Sequence, residues 1–156
     1  MVMMIAALII LSSTIGFFAW QNKNTQALEL QNIADQIAGK INEMNGIEGS
    51  ASIIVTFNDN IDGMHLNTMV GGKTYTINIT QNLVIASQHD TQVVGKIIEP
   101  VHVWKPEKDV YKSSEMQEND TNSRSQKFSS GTDFIIERKM VTVSGMQEHH
   151  TFVYMY

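Results

Sequence analysis

The chain has 156 residues, a formal net charge of −5 and no cysteine. Its length allows one domain beside a long helix, and the lack of cysteine excludes disulfides, thiol catalysis and cysteine-based zinc sites. The acidic balance argues against nucleic acid as a partner, because binding to phosphates needs a basic surface.

The chain opens on an apolar run from Met1 to Trp20, and its first charged residue is Lys23. At about 1.5 Å per residue this run predicts a helix of roughly 30 Å, the thickness of a bilayer core. Membrane anchors and export signals usually begin with a segment that contains Lys or Arg. The run therefore indicates either an unusual anchor or a chain from which a basic leader has been removed before Met1.

An amphipathic pattern follows, in which apolar residues recur at spacings of three and four. They are Leu30, Ile33, Ala34, Ile37, Ala38, Ile41 and Met44. This pattern predicts one apolar helix face, and Asn45-Gly46 is typical of a helix end. We predict one long helix over residues 1–44, membrane-spanning before assembly, whose later part packs on the globular domain.

From about residue 50 the apolar pattern has a period of two and is interrupted by turn residues. The predicted strands cover residues 52–57, 64–70, 73–80, 83–87, 92–98, 101–104, 134–144 and 150–156. This spacing predicts an antiparallel all-β, sandwich-like head over residues 50–156, and hence an α+β chain. The polar segment 105–132 predicts a long exposed loop, or a segment ordered only against a neighbour.

A turn-forming segment resembles the first half of an EF-hand calcium loop, with Asn58, Asn60, Asp62 and Gly63 at matching positions. The twelfth position would be Met69, whereas calcium loops place a bidentate Glu there. Strands replace the flanking helices, so we predict a plain hairpin turn.

The histidines do not form a recognisable catalytic or metal motif. His149 and His150 are adjacent, so on a strand they point to opposite faces and cannot easily bind one metal together. His65, His89 and His102 are scattered, and we expect exposed or interface polar residues. No phosphate loop, nucleophile elbow or zinc-helix motif is present, so we predict no enzyme activity, cofactor or metal.

Two N-glycosylation sequons are present, at Asn78 and Asn119. Asn119 lies in the polar segment and is expected to be the more accessible. Asn78 should share a strand face with Thr76 and Thr80, opposite Ile77. Modification at either residue requires export by a glycosylating cell.

An apolar helix at residue 1, an amphipathic continuation and a β-rich head together resemble a mature type IV filament subunit, either an archaeal type IV pilin or an archaellin. In that family a leader with a short basic end is removed before the apolar helix, and the membrane-stored subunits assemble with their helices bundled in the filament core. Bacterial pilins usually carry Glu at the fifth mature position, where this chain has Ile5. That difference and the absent disulfide favour the archaeal type.

The resemblance implies an extracellular homopolymer of identical subunits, stored in the membrane before assembly and used for adhesion or motility. Cell-envelope or surface glycans are possible further partners. Leaving the bilayer brings little hydrophobic gain, so close helix packing must hold the filament together. The residues expected in that packing are Met1, Ile5, Ile9, Ser12, Gly16, Phe17 and Trp20.

Three other functions remain open. A single-pass accessory protein, such as an archaellum stator-like subunit or minor pilin, would share the same plan without forming the body of a filament. A membrane-anchored module that binds surface glycans is a third possibility, and an enzyme is a distant fourth.

Overall fold

The computed structural model describes residues 2–58 and 60–156, and the side chains of residues 2–16, 18 and 19 lie outside that description. The described chain is α+β, with one N-terminal helix and sheets that are mostly antiparallel, as the sequence predicts. Its elements in chain order are α1 (Val2–Asn45), β1 (Ala51–Thr56), β2 (Met64–His65), β3 (Thr76–Thr80), β4 (Leu83–Gln88), β5 (Thr91–Lys96), β6 (Val110–Tyr111), α2 (Ser113–Asn122), β7 (Ser125–Ser129), β8 (Phe134–Val143) and β9 (Met146–Met155).

The strands form two sheets. In the five-stranded sheet, β9 pairs along the whole of β8, while β1 and β6 pair with opposite ends of its other edge and β2 extends the sheet beyond β1. The four-stranded sheet has the order β5-β4-β3-β7 and is antiparallel throughout. Ile77 and Ile79 of β3 are fully buried and alternate with half-buried polar residues, which confirms the predicted period of two.

The later part of α1 packs on the head, as predicted. Its apolar stripe is buried, with Leu30, Ala34, Ile37 and Ile41 all at 0% exposure. The helix lies closely against β5, because a side chain added at Gly95 would collide with the carbonyl oxygen of Ala34. Glycine at this position therefore permits the close approach of helix and strand.

Polar side chains of α1 also bind the open edge of β5 and the residues that follow it. Gln31 Nε2 donates to the Val94 carbonyl at 3.0 Å, and Asn42 Nδ2 donates to the Lys96 carbonyl at 3.1 Å. Asn42 Oδ1 accepts the backbone N–H of Ile98 at 2.9 Å. A sheet edge otherwise exposes unpaired backbone groups, so α1 covers this one.

The five-stranded sheet has a hydrophobic cluster on each face. One cluster is the main core, which combines the stripe of α1 with both sheets; the rings of Phe128 and Phe134 stack there at 4.5 Å. The second cluster lies on the opposite face, where α2 and the segment before it cover the sheet. Its buried members are Trp104, Tyr111, Met116, Val141, Phe152 and Tyr154.

The expected all-β head and the expected loop over residues 105–132 are both wrong, because that segment contains β6, α2 and β7. In α2 only Met116 is buried, so the helix has no apolar stripe that periodicity can detect. Its first turn is held locally, since the backbone N–H of Lys112 donates to Glu115 Oε2 at 2.8 Å.

Two other strand predictions need correction. The predicted strand 101–104 is replaced by a single bridge between His102 and Phe152. The predicted strand 64–70 shortens to β2, which runs parallel to β1. The connection between β1 and β2 is therefore not the predicted hairpin.

Candidate functional site

The N-terminal helix divides into two parts that differ in burial. Among the described side chains, Gln26 lies against Gly71 of the head, and the buried stripe starts at Leu30. Before that point Phe17 is 57% exposed and Trp20 61%, with their ring centroids 6.2 Å apart. Leu28 is 71% exposed on the same helix. The helix thus presents large apolar side chains that its own head does not bury.

The predicted filament-packing residues fall mainly in the first part of the helix. Of these, Phe17 and Trp20 are described and exposed. Met1 lies outside the described residues, and so do the side chains of Ile5, Ile9, Ser12 and Gly16. In the part of the chain that the structure describes, no helix is both long enough and apolar enough to cross a membrane.

The turn that resembles a calcium loop is built by local hydrogen bonds and tight packing. Asn58 Oδ1 accepts the backbone N–H of Asn60 at 3.0 Å, an Asx turn. A side chain added at Gly63 would collide with the carbonyl oxygen of Ile54 in β1. Gly63 thus allows the chain to return beside β1, and Asp62 is exposed in the same turn.

A chain of hydrogen bonds joins α2 to β9 through two histidines that are 48 positions apart. His102 Nδ1 lies 2.7 Å from Asp120 Oδ1, and His102 Nε2 lies 2.9 Å from His150 Nδ1. His150 Nε2 lies 3.2 Å from Glu148 Oε2. Trp104 Nε1 donates to the same Asp120 oxygen at 2.8 Å. We call these five residues the histidine cluster.

The cluster lies at the border of the second hydrophobic cluster and is partly shielded from water. The His102 ring stacks on Phe152 at 5.1 Å, and its side chain is 14% exposed. Burial lowers the pKa of His150, and the neighbouring His102 adds to this effect, while Glu148 opposes it.

The sequence prediction of exposed or interface histidines holds only in part. His65 and His89 are exposed, whereas His102 is largely buried in the histidine cluster. His150 faces this cluster, and His149, on the opposite face of β9, has a buried Nε2 without a hydrogen-bond partner. No local spacing could have revealed the cluster, since its members come from a loop, a helix and a strand.

The two sequons occupy regular structure. Asn78 lies in β3 between two neighbouring strands, and its Oδ1 is buried without a partner. Thr76 and Thr80 share its face, opposite the buried Ile77, as predicted. Asn119 lies in α2 and is half-buried. Glycosylation at Asn78 and Asn119 stays a prediction.

A cleft of about 630 Å³ lies between α2 and the segment that precedes it. Trp104 and Tyr111 line it but are only 7% and 4% exposed. The remaining lining is polar and includes the ion pair of Lys108 and Glu115 at 3.0 Å. The cleft therefore presents charged and amide groups rather than an open aromatic face.

Within the described residues, no group of three or more His, Asp or Glu side chains is arranged to hold a metal ion. No protein-family model, curated protein or solved structure matches the chain. The exposed side chains of Phe17, Trp20 and Leu28 on α1 and the histidine cluster are the two features of the described residues that suggest a role.

Proposed function

We propose that this protein is the structural subunit of an extracellular, type IV pilus-like filament, in which identical chains pack their N-terminal helices around the axis and a sandwich-like head faces outward. The observation that carries the proposal is the division of α1. From Leu30 onward one face of the helix is buried on its own head, whereas Phe17, Trp20 and Leu28 are more than half exposed.

Physical chemistry requires a partner for the first part of this helix. Met1 to Trp20 carry no charge, and a helix that is apolar all round is buried in protein or in lipid. Exposed apolar surface costs about 25 cal/mol per Å² in water. Copies of the same chain supply such a partner, and a contact that does not close on itself propagates as a helix.

Small residues in the first part of the helix favour assembly over storage in lipid. Lipid tails are as apolar as leucine, so helices associate through tight contacts at small residues. Ser12 and Gly16 are small residues four positions apart, a spacing that places both on one helix face. That face is the proposed contact between subunits.

A lysine inside this helix tests the proposal. We expect Ile9→Lys to abolish filaments and to leave the head folded, because a charge buried among apolar helices without a partner is strongly unfavourable. Negative-stain microscopy measures filament yield, and circular dichroism during heating measures the fold.

Asn22→Lys is the matched control, since residue 22 is polar and exposed; we expect it to form filaments normally. Normal filaments from Ile9→Lys would refute the proposal that the first part of α1 is buried among the helices of neighbouring subunits. If neither the wild type nor Asn22→Lys forms filaments, the single-pass accessory protein becomes the better explanation. Mass spectrometry of the native N-terminus separates a processed subunit from an unprocessed anchor.

A further inference from the structure

A shallow notch of about 490 Å³ lies between α1 and the strands β1 and β2. The residues that line it are Gln36, Gly39, Lys40, Glu43, Ile53, Gly63 and Met64. Ile53 and Met64 are half-buried and pack against the main core, so they form an apolar floor. Gln36 and Glu43 are exposed and give the notch a polar rim.

Gly39 keeps this notch open, although the fold of the single chain does not require a glycine there. Among the described residues, a side chain added at Gly39 would meet nothing within 4 Å. Glycine is also one of the least favourable residues inside a helix. At Gly63, by contrast, an added side chain would collide with the carbonyl oxygen of Ile54. The space beside Gly39 is therefore available to a side chain from outside the subunit.

Trp20 has the size and chemistry that fit this notch. It is 61% exposed, and it continues the spacing of four that joins Ser12 and Gly16, so the three residues share one helix face. An indole ring has an apolar body and an N–H that needs an acceptor once it is buried. The notch offers an apolar floor, with the carboxylate of Glu43 and the amide oxygen of Gln36 as acceptors at its rim.

We propose that Trp20 of one copy inserts into the notch beside Gly39 of the next copy. This inference rests on the proposed filament and names the surface of the head at which neighbouring subunits meet. Trp20 and Gly39 are 19 positions apart, so two parallel helices in this contact are displaced by about 28 Å along their axis. The contact joins two different surfaces, and so it propagates from copy to copy.

The same displacement brings opposite charges together. Lys23 lies three residues after Trp20, on the same side of the helix. A displacement of 19 positions places it level with residue 42, next to Glu43 of the other copy. Glu43 is exposed and binds Lys40 of its own helix at 2.9 Å, so Lys23 adds a second ammonium to this carboxylate. An aromatic ring within a charged rim is the usual arrangement of a protein interface.

Crosslinking of native filaments tests this register. A carbodiimide joins a lysine directly to a carboxylate, and mass spectrometry identifies the joined peptides. Lys23 and Glu43 are 20 positions apart, which is about 30 Å on one helix, so a link between them must join two copies. We expect this link in sheared filaments and not in membrane-stored subunits. Filaments in which Lys23 is linked to other carboxylates but not to Glu43 would overturn the proposal.

Filling the notch tests the contact itself. We expect Gly39→Leu to reduce the share of the chain in filaments at least tenfold, because leucine takes the place of the ring, without lowering the thermal midpoint of the subunit. Trp20→Ala should reduce that share by a similar factor, as truncation of an interface hot spot does. Gly39→Ala is the matched control, since it leaves most of the notch open and should assemble normally. Immunoblots of sheared filaments and membranes from the same cells measure the share.

Combining the two substitutions separates direct contact from two independent effects. The smaller side chain of Trp20→Ala no longer needs the space that Gly39→Leu removes. The double variant should therefore assemble no worse than either single variant. Losses that multiply in the double variant would show that the two residues do not meet.

The outcomes for the notch and for the filament are distinct. Normal filaments from both Gly39→Leu and Trp20→Ala would refute the notch and leave the proposed filament standing. A wild-type chain that forms no filaments would refute the proposed function, and this contact with it.

Discussion

At the residue scale, Gly95 and Gly39 have similar neighbours in sequence, but only Gly39 has room for a side chain. Gly95 in β5 lies where α1 approaches the sheet, and an added side chain would lie 2.8 Å from the backbone carbon of Ala34 and 3.0 Å from the Ala38 Cβ. Gly39 lies in the helix itself, and an added side chain would meet nothing within 4 Å.

These two glycines give a matched stability test. We expect Gly95→Ala to lower the free energy of unfolding by about 1–3 kcal/mol, the usual cost of overpacking. Gly39→Ala should raise it by about 0.5–1 kcal/mol, because glycine is a poor helix residue. Urea denaturation measures both, and equal effects from the two substitutions would contradict the close contact of α1 and β5.

At the element scale, α1 is joined to the four-stranded sheet by hydrogen bonds as well as by its apolar stripe. Asn42 makes two of them, one to the carbonyl of Lys96 and one from the N–H of Ile98. Both partners are backbone groups, so the side chain substitutes for a missing neighbouring strand. Helix and edge strand therefore form one structural unit.

Removing this side chain should weaken that unit. We expect Asn42→Ala to lower the free energy of unfolding by about 1–2 kcal/mol. Each hydrogen bond contributes about 1 kcal/mol, and the higher helix propensity of alanine offsets part of the loss. Asn32→Ala, at an exposed position of the same helix, should be neutral or slightly stabilising. The thermal midpoints of the two variants measure the difference, and a stabilised Asn42→Ala would show that these bonds contribute nothing.

At the scale of the whole molecule, the described side chains of α1 differ in exposure along the helix. Its later part completes the core of the head, where seven of its side chains lie at 5% exposure or less: Leu30, Ile33, Ala34, Ile37, Ala38, Ile41 and Met44. Its first part exposes Phe17 and Trp20. We therefore expect the head to need only the later part and the proposed filament to need the first.

Truncation should separate these two requirements. We expect a chain lacking residues 1–19 to keep the thermal midpoint of the full chain within about 2 °C and to form no filaments. A chain lacking residues 1–45 should fail to fold, because its sheets would lose the helix stripe that fills their core. Circular dichroism and negative-stain microscopy check both, and filaments from the shorter truncation would exclude the first part of α1 as the site of assembly.

The sequence by itself determined the features that repeat locally. The stripe from Leu30 to Met44 recurs every three or four residues, and Ile77 and Ile79 alternate with polar neighbours, so periodicity alone placed the helix face and strand β3. The Asn45-Gly46 pair marked the end of α1 for the same reason, because helix termination is a local property.

Only the tertiary structure decided the features that depend on distant residues. Helix α2 buries one side chain, so the sequence could not distinguish it from a loop. The parallel pairing of β1 with β2 requires the close approach of Gly63 to Ile54. No spacing of residue types along the chain predicts this contact. His102 and His150 meet because a loop and a strand converge on one face of a sheet. Local periodicity records which face of an element is buried, and long-range packing alone decides which side chains meet there.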